Sequence, residues 1–215
     1  MPILYYSRNP NPRLAVAVAR YLNAPVTLEW AAPFAPDQAE RFLKLNPTQG
    51  IPILLEDDGT TLWEADAIAC RLSQLTDSDF WRQGRDQPDM IRWLSWGKGS
   101  FVLSCDMVQF ELGTKRRYHR HLPTDTARIA EGTAGFHSAA AILDRHLDTR
   151  NWLCGATPSH ADFRMASFLP FNDVMRLPLA EYPALSAWND RLNAIPAWAD
   201  PFRGLDAPDL PPIPA

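Results

Sequence analysis

Two patterns of hydrophobic residues divide the chain, and this division constrains the fold more than any other feature of the sequence. Up to about residue 76, short apolar runs alternate with helical periodicity in the order strand, helix, strand, helix, strand, strand, helix. From about residue 88 onward, the apolar positions are helically spaced and almost nothing has the pattern of a strand. The sequence therefore predicts an α/β domain of βαβαββα order followed by an all-α domain, a helical bundle.

The elements of the first domain are bounded by turn signals. Strands are predicted at residues 3–6, 25–30, 51–55 and 60–63, and helices at 13–22, 37–45 and 64–75. Asn11 is the predicted N-cap of the first helix, with Pro12 at its first position. The strand–helix–strand order implies that the first two strands are parallel with a right-handed crossover. Asp57–Gly59 is typical of a hairpin turn.

A polar segment at residues 77–87, which contains Gly84, separates the two patterns and is the predicted linker. The domains are accordingly expected at residues 1–76 and 88–215. The second domain has two long predicted helices and two shorter ones, at residues 88–113, 125–147, 159–168 and 183–194. Four prolines between Ala207 and the end of the chain predict an extended surface tail.

Charge and hydropathy exclude several classes of protein. The 215 residues carry a net charge of −4, and the single basic cluster at residues 115–117 is too small for non-specific nucleic-acid binding. No apolar run approaches the roughly 20 residues of a membrane span, and the first residues lack the pattern of a signal peptide. Neither nucleic acid nor a membrane is therefore an expected partner.

The cysteines and histidines argue against a disulfide framework and a metal site. Cys70, Cys105 and Cys154 are widely spaced and odd in number, so they form neither a paired framework nor a CxxC motif. The five histidines have no close cysteine or carboxylate at the spacing of metal ligands. A cytoplasmic protein without a bound metal is predicted.

A proline opens the third predicted strand, in the segment Asn46–Leu54. Proline cannot donate a hydrogen bond to the strand ladder. Pro52 therefore marks either an ordinary strand edge or a place where the backbone serves another purpose, such as binding a ligand.

Two predicted helices begin at polar residues with an acidic side chain in the first turn. Glu64 and Asp66 stand where the fourth strand ends and a helix begins. Free N–H groups and the helix dipole suit a ligand carboxylate there, and the acidic side chains suit an ammonium group; simple helix capping is the alternative. Ser159 and Asp162 have the spacing of a capping box, which predicts the start of a buried helix in the second domain.

The order of these motifs resembles that of the glutathione transferase superfamily. Asn46–Pro52 is similar to the cis-proline loop of the family, Glu64–Ala65 to its Glu-Ser pair, and Ser159–Asp162 to its folding cap. Tyr182–Trp198 resembles its late helix and the turn that follows. The matches extend over nearly the whole chain, and they imply a thioredoxin-like first domain and a helical second domain.

The resemblance implies that the first domain binds glutathione as a co-substrate. Ile51, before Pro52, would pair its backbone with the cysteinyl part of the tripeptide, and Gln49 lies in the same loop. Glu64 and the backbone of Ala65 would hold the γ-glutamyl end. Ala65 departs from the family, which commonly has a serine or threonine whose hydroxyl contacts the γ-glutamyl carboxylate. Loss of one such bond costs about 1.5–3 kcal/mol.

Catalysis in this family lowers the pKa of the glutathione thiol, because the thiolate is the nucleophile. A hydroxyl or a cysteine just after the first strand stabilises the thiolate. Here the turn offers Ser7, Asn9 and Asn11 and no cysteine, which excludes a mixed disulfide at this position. The serine hydroxyl or either asparagine amide would donate to the thiolate, and all three stay candidates. Turn formation and helix capping are the alternative roles.

The resemblance also implies a small hydrophobic electrophile, bound between the first turn and the first helices of the second domain. Candidates for its apolar wall are Trp96, Phe101, Met107 and Phe110. For each of them, packing in the core or at a subunit interface is the alternative. A homodimer is expected from the same resemblance.

The implied function is that of an enzyme, a glutathione transferase that activates the thiol for attack on the electrophile. A non-catalytic binding or scaffold protein on the same fold is one alternative, and the alanine at position 65 favours it. The other alternative is a different glutathione-dependent reaction, such as isomerisation, ether cleavage or dehalogenation.

Overall fold

The computed structural model describes residues 1–35 and 37–213, and the contacts of the chain divide it into two units. The first unit comprises Met1–Trp81 and Ile195–Leu210, and the second comprises Arg82–Ala194 and the chain from Pro211 onward. This division differs from the predicted domains mainly in residues 195–210, which pack with the α/β elements. Pro214 and Ala215, the end of the predicted tail, lie outside the described residues.

The first unit has the predicted βαβαββα order. Its elements are β1 (Ile3–Tyr6), α1 (Pro10–Tyr21), β2 (Thr27–Trp30), α2 (Gln38–Leu43), β3 (Ile53–Leu55), β4 (Thr61–Trp63) and α3 (Ala65–Leu75). The sheet order is β2-β1-β3-β4, with β1 parallel to β2 and with β3 antiparallel to both of its neighbours. The predicted α/β domain of thioredoxin-like arrangement is confirmed.

Side chains of β1 alternate between two hydrophobic clusters, as the period of a strand requires. Tyr5 packs with Phe42 and Ile53 in one cluster. Tyr6 packs with Val16 and Phe202 in the other. The second cluster contains a residue from near the end of the chain, and this contact is one reason why residues 195–210 belong to the first unit.

Helix α1 begins at Pro10, earlier than predicted, and its N-cap is Asn9 in extended backbone conformation. The prediction that Asn11 caps this helix is wrong. Proline has a fixed φ and no N–H, so it fits any position in the first turn, where N–H groups have no intrahelical partner. Pro10 takes the first helical position, and Pro12 is accommodated two residues later in the same turn.

The second unit is helical, which confirms the predicted all-α domain. Its helices are α4 (Gln87–Lys98), α5 (Phe101–Gln109), a π-helical turn (Phe110–Thr114), α6 (Lys115–Tyr118), α7 (Thr126–Leu147), α8 (His160–Met165), α9 (Asn172–Met175) and α10 (Pro183–Asn193). Short 3-10 turns lie at Gly84–Asp86, Leu169–Phe171 and Leu179–Glu181. The helix predicted over 88–113 is in fact interrupted at Gly99 and Ser100. None of the described helices is long and apolar enough to cross a membrane.

The predicted capping box at Ser159 and Asp162 is present at the start of α8. Asp162 is fully buried and also accepts a hydrogen bond from the indole N–H of Trp188 on α10. The loop before α8 is held by the buried guanidinium of Arg82, which donates to the carbonyl oxygens of Cys154 and Thr157. This polar network fixes the position of α8 in the helical core.

Candidate functional site

Three of the predicted motifs meet at one edge of the sheet in the first unit. Because β1 and β4 are both antiparallel to β3, the C-terminal ends of β1 and β4 lie beside the N-terminal end of β3. Ser7 follows β1, Pro52 precedes β3 and Glu64 follows β4. One row of paired residues crosses the sheet just inside this edge: Tyr5, Ile53 and Trp63.

The loop before β3 presents backbone groups at this edge. The Ile51–Pro52 peptide bond is cis, as the resemblance implied. Ile51 precedes the strand, which starts at Ile53. Among the described residues, no backbone hydrogen-bond partner is found for the N–H or C=O of Ile51. These two groups have the spacing needed to pair with an extended peptide.

The side chain of Asn46 forms hydrogen bonds within this loop, a role that was not predicted from the sequence. Its Nδ2 donates to the carbonyl of Gly50 at 2.8 Å, and its Oδ1 accepts from the backbone N–H of Thr48 at 3.0 Å. An asparagine before proline is a recognised turn signal and would have pointed to this role. Gln49, at the tip of the loop, is exposed and has a left-handed backbone with φ of 58°.

Glu64 occupies a strained backbone position at the junction of β4 and α3. Its φ is +71°, in a region that side chains other than glycine rarely adopt. Such strain concentrates at binding and catalytic sites. The exposed side chain of Glu64 makes no capping hydrogen bond to α3, so simple helix capping does not explain this residue. Ala65 is the first residue of α3, and its side chain is buried.

The turn after β1 distinguishes the three candidate thiol donors. Ser7 is fully buried, and its hydroxyl oxygen accepts the backbone N–H of Asn9 at 3.4 Å. Asn9 is half-buried, and its side chain does not cap α1. Asn11 is exposed in the first turn of α1. Asn9 therefore combines access to solvent with a side-chain amide that the helix does not use.

The two prolines of this turn reduce the number of backbone donors at the start of α1. Pro10 and Pro12 have no N–H, although helix N-termini usually bind anions through such groups. An anion at this turn therefore depends more on side-chain donors than it would at an ordinary helix N-terminus.

The four candidates for the electrophile wall lie in the second unit and differ in burial. Phe101 is fully buried against Phe136, with ring centroids 5.4 Å apart, and belongs to the helical core. Half-buried Trp96 stands edge-on to another tryptophan of α4. Met107 and Phe110 are half-buried and three residues apart, a spacing that puts them on one side of a helix.

Two cations lie close to the ring of Phe110. The ammonium of Lys115 is 5.8 Å from the ring centroid, and the guanidinium of Arg128 is 5.7 Å from it. Lys115 also forms a buried ion pair with Glu111 at 2.6 Å. Within residues 1–35 and 37–213, no group of three or more possible metal-ligating side chains is found.

Comparisons with known proteins cover both units. Residues 1–72 match the family model described as glutathione S-transferase, N-terminal domain, and residues 126–191 match the one described as glutathione S-transferase, C-terminal domain. The chain is 29% identical over 202 residues to glutathione S-transferase stcT of Emericella nidulans, covering 91% of this chain and 89% of that protein. It is 25% identical over 206 residues to disulfide-bond oxidoreductase YfcG of Escherichia coli, covering 90% and 91%.

A solved structure has a similar fold over nearly its whole length. The glutathione S-transferase from Rhodospirillum rubrum F11 superposes with a TM-score of 0.83, covering 99% of this chain and 96% of that chain. The sequence identity is 22%, so this likeness concerns the fold.

Proposed function

Because the chain belongs to the glutathione S-transferase superfamily, we propose that it is a glutathione transferase in which Asn9 activates the glutathione thiol. Membership in the family supports a glutathione transferase-like function. The observation that carries the proposal is the convergence of three features at one sheet edge. They are the turn after β1, the Ile51 backbone, which pairs with no backbone group of the described residues, and the strained Glu64.

Glutathione would bind along this edge in extended conformation. The N–H and C=O of Ile51 would pair with the cysteinyl residue of the tripeptide beside Pro52, with Gln49 at the rim. The Glu64 carboxylate would receive the γ-glutamyl ammonium, and the N–H of Ala65 would face the γ-glutamyl carboxylate. A charge-assisted hydrogen bond of this kind is stronger than a neutral one.

Asn9 would act on the sulfur. Its amide N–H donates to the thiolate and not to the thiol, so it lowers the pKa of the bound thiol. Ser7 would support the turn by accepting the Asn9 N–H. Asn11 lies two residues farther along the chain, within the first turn of α1. The electrophile would be small and hydrophobic, with Met107 and Phe110 as proposed contacts.

A second candidate function is glutathione-dependent disulfide reduction, which the name of the Escherichia coli relative suggests. The turn after β1 contains no cysteine. Electrons would therefore come from glutathione alone: two glutathione thiols reduce one disulfide, giving two thiols and glutathione disulfide. The first thiolate attacks the substrate disulfide, and the second resolves the mixed disulfide.

The cellular setting follows from the same proposal. We propose a homodimer, the common state in this family, and a cytoplasmic location. The three cysteines are free in the structure, and two of them are buried, which agrees with a reducing compartment.

Titration calorimetry with glutathione tests the proposed function directly. We expect binding in the millimolar range or tighter, and turnover with chlorodinitrobenzene, with hydroxyethyl disulfide, or with both. Conjugation without disulfide reduction supports the transferase, and the reverse result supports the second candidate. No binding at millimolar glutathione would contradict both, and binding without any turnover would favour the scaffold protein.

The Ala65→Ser variant is expected to bind glutathione about tenfold more tightly, because the added hydroxyl donates to the γ-glutamyl carboxylate. Calorimetry on both proteins measures the change. Ala67→Ser, in the same turn of α3 and half-buried, is the matched control and should leave the affinity unchanged. Equal effects of the two substitutions would place the γ-glutamyl end elsewhere.

A further inference from the structure

The C-terminal segment, Ile195–Leu210, contains α11 (Pro196–Ala199), packs within the first unit and binds the turn that carries Asn9. The contact is made by Arg8, the central residue of that turn. Its Nε and Nη2 both donate to the carbonyl oxygen of Ala207, at 3.0 and 2.9 Å. Two bonds that converge on one oxygen from Nε and Nη2 fix the orientation of the guanidinium as well as its distance.

Two further contacts hold the same guanidinium. It lies over the ring of Phe202, 4.7 Å from the centroid, and Nη2 is 3.3 Å from the carboxylate of Asp209. Phe202 is itself buried and stacks on Tyr6, with ring centroids 5.9 Å apart and planes at 19°. Tyr6 is the last residue of β1. The C-terminal segment thus contacts the residue before Ser7, which is Tyr6, and the residue after it, which is Arg8.

The turn is also restrained by α1, because the carbonyl oxygen of Asn9 accepts a hydrogen bond from the backbone N–H of Arg13 at 2.9 Å. The bond from the Asn9 N–H to the Ser7 hydroxyl is 3.4 Å long, beyond the usual range for N–H donors. The side chain of Asn9 makes no capping bond to α1. The bonds of Arg8 to Ala207 are shorter than the bond within the turn, and their donor is charged. Together with the bond from Arg13 to the Asn9 carbonyl, they restrain the backbone before and after the Cα atom from which the Asn9 side chain projects.

Two other arginines bind carbonyl groups of the same segment but from inside α1. Arg13 donates to the carbonyl of Trp198, and Arg20 donates to the carbonyl of Arg203 at 3.0 Å. Arg20 lies near the end of the helix, far along the chain from the turn. These contacts anchor the C-terminal segment, whereas Arg8 alone of the three lies within Ser7–Asn9.

We propose that Arg8 is a positioning residue for the thiol site, held by the C-terminal segment through Ala207, Phe202 and Asp209. This inference rests on the proposed function, in which Asn9 donates to the glutathione sulfur. Loss of the restraint would leave glutathione bound but its thiol less acidic, because backbone contacts at Ile51 bind the peptide and the Asn9 amide acts only on the sulfur.

The test compares Arg8→Met with Arg20→Met in the full chain. Methionine keeps an apolar stem over Phe202 and removes the donors. We expect Arg8→Met to raise the pKa of the bound thiol by about one unit, measured by thiolate absorbance against pH. At pH values below the pKa of the wild type, kcat should be about tenfold lower, because about a tenth as much thiolate is present. KM should change less than about twofold, and Arg8→Lys should restore part of the acidity. Arg20→Met loses a bond of the same kind and should shift neither quantity.

Hydrogen exchange supplies a readout that needs no glutathione. The amide of Asn9 should exchange faster in Arg8→Met than in the wild type or Arg20→Met. If the wild type activates glutathione while Arg8→Met leaves thiol pKa, kcat and exchange unchanged, the inference is wrong and the proposed function stands. If the wild type neither binds nor activates glutathione, the proposed function fails, and the inference fails with it. If Arg8→Met does not fold, Arg8→Lys must show smaller changes of the thiol pKa, kcat and exchange rate in the same directions.

Discussion

Replacing Asp162 with alanine is expected to lower the free energy of unfolding by about 4 kcal/mol, because each buried donor left without a partner costs about 1–3 kcal/mol. The carboxylate accepts four hydrogen bonds. The backbone N–H groups of Leu153 and Ser159 donate at 2.8 and 2.9 Å. The Ser159 hydroxyl and the indole of Trp188 donate at 2.9 and 3.0 Å.

Water cannot easily replace the lost carboxylate. Asp162, Ser159 and Trp188 are each 0% exposed, and Leu153 is 1% exposed. The four donors come from three parts of the helical unit: the loop before α8, the N-cap of α8, and α10. Alanine therefore removes a group that joins these three parts, and it also leaves a cavity that adds to the cost.

Denaturant unfolding followed by tryptophan fluorescence measures the loss, with a constant m-value as the check that the denatured state is unaltered. Asp125→Ala is the matched control, because Asp125 caps α7 from an exposed position and accepts one backbone N–H, from Arg128. Its loss should cost about 1 kcal/mol, the usual contribution of an N-cap. A cost for Asp162→Ala no greater than that of the control would contradict the network described here.

The sequence predicted the order of the elements well because each one has a local cause. The alternation of strands and helices in the first 76 residues follows from apolar period and turn residues, and the capping box follows from a fixed spacing. The predicted start of α1 was wrong, and the reason is again local. Asn9-Pro10 and Asn11-Pro12 are both N-cap and first-turn pairs, and helix-start rules do not separate them.

No local sequence pattern predicted how the C-terminal segment packs. Arg8, Arg13 and Arg20 bind backbone carbonyl groups, and a carbonyl acceptor is the same in every residue type. A contact of this kind leaves no pattern in the sequence of the segment it binds. The sequence therefore predicted 88–215 as one domain, whereas in the structure 195–210 pack with the α/β elements.

The sequence predicted the separate motifs of the candidate site, and the structure showed that they lie at one edge of the sheet. Each motif was visible as a proline, a helix start or a turn, but their meeting depends on the directions of β1, β3 and β4. The choice among Ser7, Asn9 and Asn11 depends on burial, which a turn sequence does not specify because Gly, Pro, Asn and Ser all favour turns for local reasons.

Asn9→Ala is expected to lower kcat/KM for glutathione conjugation by about ten- to a hundredfold, the effect of removing one hydrogen bond to a charged group. The same loss raises the pKa of the bound thiol by about one to two units. The stability of the protein should change little, because the Asn9 side chain makes no capping bond to α1. Steady-state kinetics and thiolate absorbance against pH measure the two changes on the same preparations.

Three further variants separate a donor from a residue that only shapes the turn. Asn9→Asp keeps the size of the side chain and replaces its N–H donor with an anion, so the thiol pKa should rise further than in Asn9→Ala. Ser7→Ala removes a hydroxyl that is buried and accepts the Asn9 N–H, so its effect should be several-fold smaller. Asn11→Ala tests the third candidate at its exposed position and should have the weakest effect.

The relative size of the effects of Asn9→Ala and Ser7→Ala decides which group faces the sulfur. A larger loss in Ser7→Ala would mean that the turn opens on binding glutathione and exposes the hydroxyl as the donor. Where this opening also breaks the bond from the Asn9 N–H to the Ser7 oxygen, the exchange rate of the Asn9 amide would rise when glutathione is added. If Asn9 is the donor, bound glutathione orders the turn, and the same amide should exchange more slowly.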